Sequence, residues 1–270
     1  MLREVNRLIL SEIAKVCHTK IPYVGIACSA LMALVAKQSV ESFAQPGEVT
    51  AYNYFSSSAM LAATLTTPIF ATIFAALSIA SETSNGTLRV VLVRPVSRFQ
   101  FLTSKFLVAI LYLVLLVVAN CAVALLIARG YPLRNAFDKN LELPSPTVQV
   151  LIYFYGLLLS LLPQIATVAF AFLVSVLVTT GGSAVGIALG LLLTLQAAKQ
   201  FISIGGYELS TFVFSTYYDL PMKIADAKAG GMYELWLQER TYWMLGTSGI
   251  AILVFLALSY YVFLRRDLNT

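Results

Sequence analysis

The residues of this chain that could do chemistry are few, and several of the charged ones lie in one stretch between two apolar segments. This stretch includes Glu82 near its start and Lys105 at its end, with Arg89, Arg94 and Arg98 between them. Basic residues beside a membrane can dock a partner protein, or they can form a loop that stays on the cytoplasmic side. The pattern predicts a docking element or a basic topological loop, and the residues alone leave both interpretations open.

Catalytic and metal-binding patterns are absent from the sequence. His18 is the single histidine, which excludes a site with two histidine ligands and a Ser-His-Asp triad within the chain. No G-x-x-x-x-G-K-[ST] sequence occurs, so the chain has no P-loop with which to bind ATP. The three cysteines, Cys17, Cys28 and Cys121, lack metal-binding spacing. We therefore predict no catalytic residue, no metal site and no cofactor in this chain, and expect that it is not an enzyme.

The composition places the chain in a membrane. Of its 270 residues 59% are hydrophobic and 11% are charged, whereas soluble domains carry about 25% charged residues. Six segments reach the roughly 20 residues that a bilayer requires. They are approximately residues 21–43, 58–80, 106–128, 148–178, 182–204 and 243–264. The sequence predicts an all-α polytopic membrane protein with a single transmembrane domain over residues 1–270.

Two further segments are expected to lie at the membrane interface. Residues 1–20 carry an apolar stripe opposite charged residues, which is typical of an amphipathic helix lying in the interface. Residues 206–242 combine aromatic and charged residues before the last span, and we predict one or two short helices there.

The stretch 81–105 carries signals for a short helix between two breaks. Gly86, after an asparagine, can adopt the left-handed conformation that ends a helix. Thr87 can then cap a new turn in which Leu88 and Leu92 share one face. Pro95 disfavours helical geometry at the residue before it, so this helix is predicted to be short.

A third helix is predicted to begin directly afterwards. Ser97 followed by Gln100 has the form of a capping box, in which each residue bonds the backbone of the other. This helix would continue into the third apolar span.

The distribution of basic residues predicts the orientation. With the N-terminus inside, the inner segments (1–20, 81–105, 179–182 and 265–270) hold ten of the 18 basic and four of the 13 acidic residues. This excess follows the positive-inside rule, so both termini are predicted to be cytoplasmic. Because the excess is confined to particular loops, the net charge of +5 does not indicate nucleic-acid binding.

Small residues recur at every fourth position in two spans. This spacing allows helix backbones to approach closely, either within one subunit or between subunits, and both alternatives stay open. The residues are Gly25, Ser29 and Ala33 in the first span and Gly182, Gly186 and Gly190 in the fifth.

The stretch after the second span resembles the corresponding segment of ABC-2-type permeases, the membrane subunits of type V ABC exporters. The N-terminal amphipathic segment, the six spans, the insertion 206–242 and the basic end at residues 263–268 are similar as well, so the resemblance covers nearly the whole chain. The residues that carry it are Glu82, Gly86, Thr87, Leu88, Arg89, Leu92, Arg94, Pro95, Val96, Ser97, Arg98, Phe101, Leu102 and Lys105.

The resemblance implies that residues 1–20 are an interfacial elbow helix, and that a short cytoplasmic coupling helix near residues 87–93 sits in a cleft of a separate ATPase subunit. That partner would bind ATP and Mg²⁺. It also implies a second permease copy or paralogue, a bacterial inner membrane, outward transport and, on the outer side, room for an accessory protein. The substrate is left open. The residues expected to couple ATPase and permease are Glu82, Gly86, Thr87, Leu88, Arg89, Leu92, Arg94, Pro95 and Arg98.

Two other classes of function remain as alternatives. A passive channel or ion-coupled carrier would need no ATPase, but it would be expected to show ionisable residues inside the spans, and these are scarce. A membrane anchor or scaffold for a soluble complex would use the same docking helix without a translocation path.

Overall fold

The computed structural model describes residues 2–43, 49–86, 97–133, 144–199, 201, 203–204, 207–231 and 238–265. The fold of these residues is all-α, apart from a two-residue antiparallel ladder between β1 and β2. The helical elements are α1 (Leu2–Cys17), α2 (Ile21–Phe43), α3 (Ala51–Leu61), a π-turn (Ala62–Thr66), α4 (Thr67–Ser84), α5 (Arg98–Ala128), α6 (Pro146–Leu177) and α7 (Gly181–Ala198). They continue after β1 (Ser203–Ile204) and β2 (Tyr207–Glu208) with two 3₁₀ turns (Leu209–Phe212 and Phe214–Tyr217), α8 (Leu220–Ala229) and α9 (Glu239–Arg265).

Six helical segments within the described residues are long and apolar enough to cross a membrane. This confirms the prediction of an all-α integral membrane protein with six spans. In chain order, span 1 is α2, span 2 is α3 with the π-turn and α4, span 3 is α5, span 4 is α6, span 5 is α7 and span 6 is α9.

The structure corrects three of the predicted span limits. Span 2 begins at Ala51 rather than near residue 58, because Thr50 caps its first turn by accepting a hydrogen bond from the backbone of Asn53. Polar residues in the first turns of this helix lower the local hydropathy, so the hydropathy pattern places its start too late. Span 5 ends at Ala198 rather than at residue 204, where the chain has already entered β1. Span 6 begins at Glu239, four residues before the predicted limit.

Span 2 changes neighbours along its length. Its first half, α3, packs against spans 1 and 3, whereas its second half, α4, packs mainly against spans 4 and 5. Span 6 packs against span 4. One hydrophobic core surrounds Ala75, Ile79, Leu113 and Phe172, and a second surrounds Tyr54 and Met222. Motion of span 2 would therefore affect both groups of helices.

The insertion before span 6 contains a short helix, as predicted for residues 206–242. Helix α8 packs against spans 2 and 4, on the end of the bundle opposite to α1. Gly156 of span 4 makes this approach possible, because a Cβ there would lie 2.9 Å from the Ala225 side chain. The Tyr153 hydroxyl donates a 2.9 Å hydrogen bond to the Asp226 carboxylate, which fixes α8 to span 4.

Candidate functional site

Helix α1 lies against span 3 at the end of the bundle where spans 2 and 4 finish. It carries Glu12 and Lys15 one turn apart, so that both side chains project from one face of the helix. The Glu12 carboxylate accepts a 2.6 Å hydrogen bond from the Lys15 ammonium group. This pair faces the last turn of span 2 and the first turns of span 3, where the other half of the site lies.

Four side chains from three elements form a charged cluster, consisting of Glu12, Lys15, Glu82 and Lys105. The Lys105 ammonium lies 2.8 Å from Glu12 Oε2 and 2.9 Å from Glu82 Oε1. The Lys15 ammonium also lies 2.9 Å from Glu82 Oε1. Each cation thus contacts both carboxylates, and the cluster joins α1 to spans 2 and 3.

Burial makes these ion pairs stronger than pairs at an open surface. The Lys105 side chain is 3% exposed and both carboxylates are 12% exposed, whereas Lys15 is half exposed. Removing a charge from water is costly unless opposite charges and hydrogen bonds compensate it. Two ammonium groups and two carboxylates balance here, so the charged cluster as a whole is neutral.

The charges also change the titration of the two groups on α1. Burial alone would raise the pKa of Glu12, but the charge and hydrogen bonds of Lys105 and Lys15 outweigh burial and lower this pKa below its ordinary value. Burial would lower the pKa of Lys15, but its hydrogen bonds to Glu12 and Glu82 outweigh that and raise it. The folded protein therefore favours the charged form of both groups.

A cavity of about 310 Å³ lies beside the charged cluster. Its walls are largely apolar and come from spans 1, 2 and 3, with Pro22, Phe74 and Val108 among them. Apolar walls lower the local dielectric, and this strengthens the attraction between the neighbouring charges.

The structure bears out the predicted helix ends on both sides of residues 87–96. Helix α4 ends at Ser84, and Gly86 adopts φ +67° in the left-handed region. The predicted capping box is present, because the Ser97 hydroxyl accepts from Gln100 N–H and the Gln100 side chain accepts from Ser97 N–H. The predicted coupling helix falls outside the described residues, together with Thr87, Leu88, Arg89, Leu92, Arg94 and Pro95.

Arg98, at the start of span 3, contacts the end of span 6. Its guanidinium donates a 3.1 Å hydrogen bond to the Leu264 carbonyl, one of the backbone acceptors that a helix end leaves unpaired. The hydroxyls of Thr103 and Tyr260 are hydrogen-bonded at 2.7 Å one turn further on. The first turns of span 3 therefore contact span 6 as well as α1 and span 2.

The two sets of small residues have different surroundings. Gly25, Ser29 and Ala33 pack inside the chain: a Cβ at residue 25 would collide with the Tyr112 hydroxyl, and the Ser29 hydroxyl donates to the Leu116 carbonyl at 2.8 Å. In span 5, by contrast, a Cβ at any of three positions would meet no described atom within 4 Å. These positions are Gly182, Gly186 and Gly190.

Sequence reasoning did not select Glu12 and Lys15 as site residues. Their spacing on the polar side of a predicted amphipathic helix fits solvent exposure as well as pairing, and only the tertiary contact with Glu82 and Lys105 distinguishes the two. No group of three or more His, Cys, Asp or Glu side chains suited to a metal ion occurs in the described part of the chain.

A protein-family model described as "Protein of unknown function (DUF2705)" matches residues 24–269. The chain belongs to this family. Within the DUF2705 match lie Glu82 and Lys105, whereas Glu12 and Lys15 of α1 precede it. A search of the curated proteins found no match.

Proposed function

We propose that this protein is the membrane subunit of an ATP-driven exporter of the ABC-2 type, with its ATPase on a separate chain. The observation that supports this most is the charged cluster, since it connects α1 to Glu82 and Lys105 on either side of the segment proposed to dock the ATPase. The resemblance of residues 82–105 and the six spans are consistent with it.

The proposed mechanism transmits force through the two helix ends that flank residues 87–96. Gly86 ends span 2 and the capping box at Ser97 starts span 3, so both helix ends are defined by local backbone geometry and hydrogen bonds. A partner that moves the intervening segment would move Glu82 and Lys105 with it. Because α1 is bound to both, we expect α1 and the ends of spans 2 and 3 to move together.

In this proposal, Arg89 and Arg94 contact the ATPase on the cytoplasmic side, where α1 would lie in the membrane interface. Glu82 and Lys105 transmit the motion, and Arg98 extends it to span 6. The permease works with a second copy or a paralogue, and the substrate path lies between the two. ATP and Mg²⁺ bind to the partner ATPase.

Co-purification tests the proposal most directly. The protein is extracted from its native cells in mild detergent, and stoichiometric partners are identified by mass spectrometry. We expect a P-loop ATPase with the wild-type protein and its loss with Arg89→Glu. Lys37→Glu, a charge reversal near the opposite end of the bundle, is the matched control and should retain the ATPase.

A second variant separates binding from coupling. Gly86→Val places a β-branched residue at a left-handed position, which should alter the connection after span 2 without removing the docking arginines. We expect the ATPase to remain bound while its ATP hydrolysis no longer drives transport. Folded wild-type protein without any ATPase would contradict the proposal and favour a passive channel or scaffold.

A further inference from the structure

Span 2 contains a local departure from α-helical pairing between its two halves, α3 and α4. Residues Ala62–Thr66 form a single π-turn, and the N–H of Thr67 bonds to the carbonyl of Ala62, five residues back instead of four. The carbonyl of Ala63 therefore loses its α-helical donor, which would have been that same N–H group.

Proline then removes the alternative donor. In continued π pairing the Ala63 carbonyl would accept from residue 68, but this residue is Pro68, which has no N–H. No backbone donor is left to the Ala63 carbonyl in either pairing. Since Ala63 is 8% exposed, an unpaired carbonyl there would be costly.

The side chain of Gln164 in span 4 supplies the missing donor. Its Nε2 donates a 2.6 Å hydrogen bond to the Ala63 carbonyl. Gln164 directly follows Pro163, which has no N–H, so span 4 also lacks one backbone hydrogen bond close to this level. Two buried oxygens of the described residues, Gln164 Oε1 and Thr67 Oγ1, have no hydrogen-bond partner here. Polar pairing at this level is therefore incomplete and depends on one side chain.

The two halves of span 2 are held by different neighbours. In α3 the Tyr54 hydroxyl donates to the Ala33 carbonyl of span 1 at 2.7 Å, and Ser58 pairs with Asn120 of span 3. In α4 the N–H groups of Ile79 and Ala80 lie 3.0 and 3.1 Å from the Ser175 hydroxyl of span 4. The π-turn lies between these two groups of contacts.

We propose that residues 62–68 are a hinge of span 2, and that Gln164 is the positioning residue that keeps it closed. Opening the hinge breaks the side-chain bond to Ala63 and lets α4, which carries Glu82, change its angle to α3. The segment has fewer backbone hydrogen bonds than an ordinary turn of the span, because Pro68 has no N–H to donate. The inference goes beyond the proposed function and does not require an ATPase.

Hydrogen–deuterium exchange of the full-length protein in lipid nanodiscs, read by mass spectrometry, tests the hinge. We expect amides 63–67 to exchange faster than those of α3 or the later turns of α4. Gln164→Leu should accelerate exchange in this segment alone, on the order of ten-fold or more, the effect expected for an unpaired buried carbonyl. Gln196→Leu in span 5 is the matched control and should leave the segment unchanged.

Pro68→Ala provides the opposite test and remains informative if Gln164→Leu fails to fold. It restores an N–H that can pair with Ala63, so exchange of the segment should fall to the rate of its flanks. In that background Gln164→Leu should have little further effect. Equal exchange of the segment and its flanks in the wild type would overturn the hinge. An effect of Gln164→Leu that is the same with and without Pro68 would overturn the role of Gln164.

Discussion

Lys105 shows how a single buried charge can decide the structure around it. Its ammonium group is nearly enclosed, contacts both carboxylates of the charged cluster and lies 5.1 Å from the centre of the Phe101 ring. Without that cation, two carboxylates would share a poorly hydrated site with Lys15, which is half exposed. The position therefore requires a cation rather than a side chain of suitable length.

Lys105→Met tests this requirement. The variant keeps most of the side-chain volume but leaves Glu12 and Glu82 undercompensated, so we expect a loss of about 3 kcal/mol in the free energy of unfolding. Thermal unfolding of the purified protein measures the loss. The control is Lys37→Met, which breaks the exposed pair Lys37–Glu41 and should cost less than about 1 kcal/mol. Equal effects of the two variants would contradict the importance of burial.

The pH dependence of stability follows from the two shifted groups on α1. Because the pKa of Glu12 is lowered by folding, its contribution is present above its ordinary value of 4.5 and is lost as the pH falls through the lowered pKa. Lys15 has a raised pKa, so its contribution is present below 10.5 and is lost as the pH rises through the raised pKa. Melting temperatures measured against pH should therefore fall at both extremes.

Glu12→Gln tests whether Glu12 causes the fall in melting temperature at low pH. This variant should be less stable than the wild type at neutral pH and should lose less on acidification, because it has no carboxylate to protonate. If the melting temperatures of the variant and the wild type fell in parallel on acidification, groups other than Glu12 would control stability at low pH.

Among elements, α8 shows how one partly buried carboxylate affects the docking of a helix. Burial raises the pKa of Asp226, while its hydrogen bonds to Tyr153 and Ser56 act in the opposite direction and compensate only in part. The raised pKa means that ionised Asp226 opposes the docking of α8 at neutral pH. Protonated Asp226 contributes to the stability of the fold below the ordinary pKa of 3.8, and this contribution is lost as the pH rises through the raised pKa.

Asp226→Asn should therefore stabilise the protein at neutral pH. The amide keeps an oxygen that can accept from Tyr153 and carries no charge to desolvate. We expect the melting temperature to rise by about 2–4 °C, corresponding to about 1 kcal/mol in a chain of this size. Asp219→Asn, at the N-cap of the same helix and paired with Lys223, is the control and should not stabilise. A lower melting temperature for Asp226→Asn would show that ionisation is needed for docking.

The elements were predicted from the sequence to different extents, and for physical reasons. The capping box at Ser97 and the left-handed Gly86 are local, so their residues sufficed to predict them. The true start of span 2 was missed because its first turns are polar and rely on packing. The π-turn was not predicted either, because it depends on the amide that Gln164 contributes from another helix.

At the scale of the whole molecule, the count of six spans followed from hydropathy, because a bilayer imposes a minimum apolar length on every crossing. The charged cluster did not follow, since its members are separated by up to 93 positions and each looks like an ordinary interfacial residue. The spacing of small residues was equally ambiguous: Gly25 faces Tyr112 and Phe70, whereas no described atom lies within 4 Å of a Cβ built at Gly186.

This difference predicts opposite outcomes for two glycine variants. Gly25→Ala should destabilise the isolated chain by about 1–3 kcal/mol, because its methyl group collides with Tyr112. Gly186→Leu should leave the fold of a single chain intact. If the glycine face of span 5 contacts the second permease of the proposed function, Gly186→Leu should reduce the dimer fraction measured by mass photometry in nanodiscs. An unchanged dimer fraction would place the contact on another face.

The charged cluster also sets an order of events during synthesis. Helix α1 precedes all six spans in the chain, yet Glu12 meets Lys105 only after 93 further residues have been made. At bacterial and eukaryotic synthesis rates this interval is roughly 5–20 s. During that time Glu12 can pair with Lys15 one turn away, so the charges of α1 can compensate each other before Lys105 is made. Spans 1 and 2 must be inserted before α1 finds its final partners, and Lys105, the last of the four charges to be made, completes the attachment of a helix that was made before any of the spans.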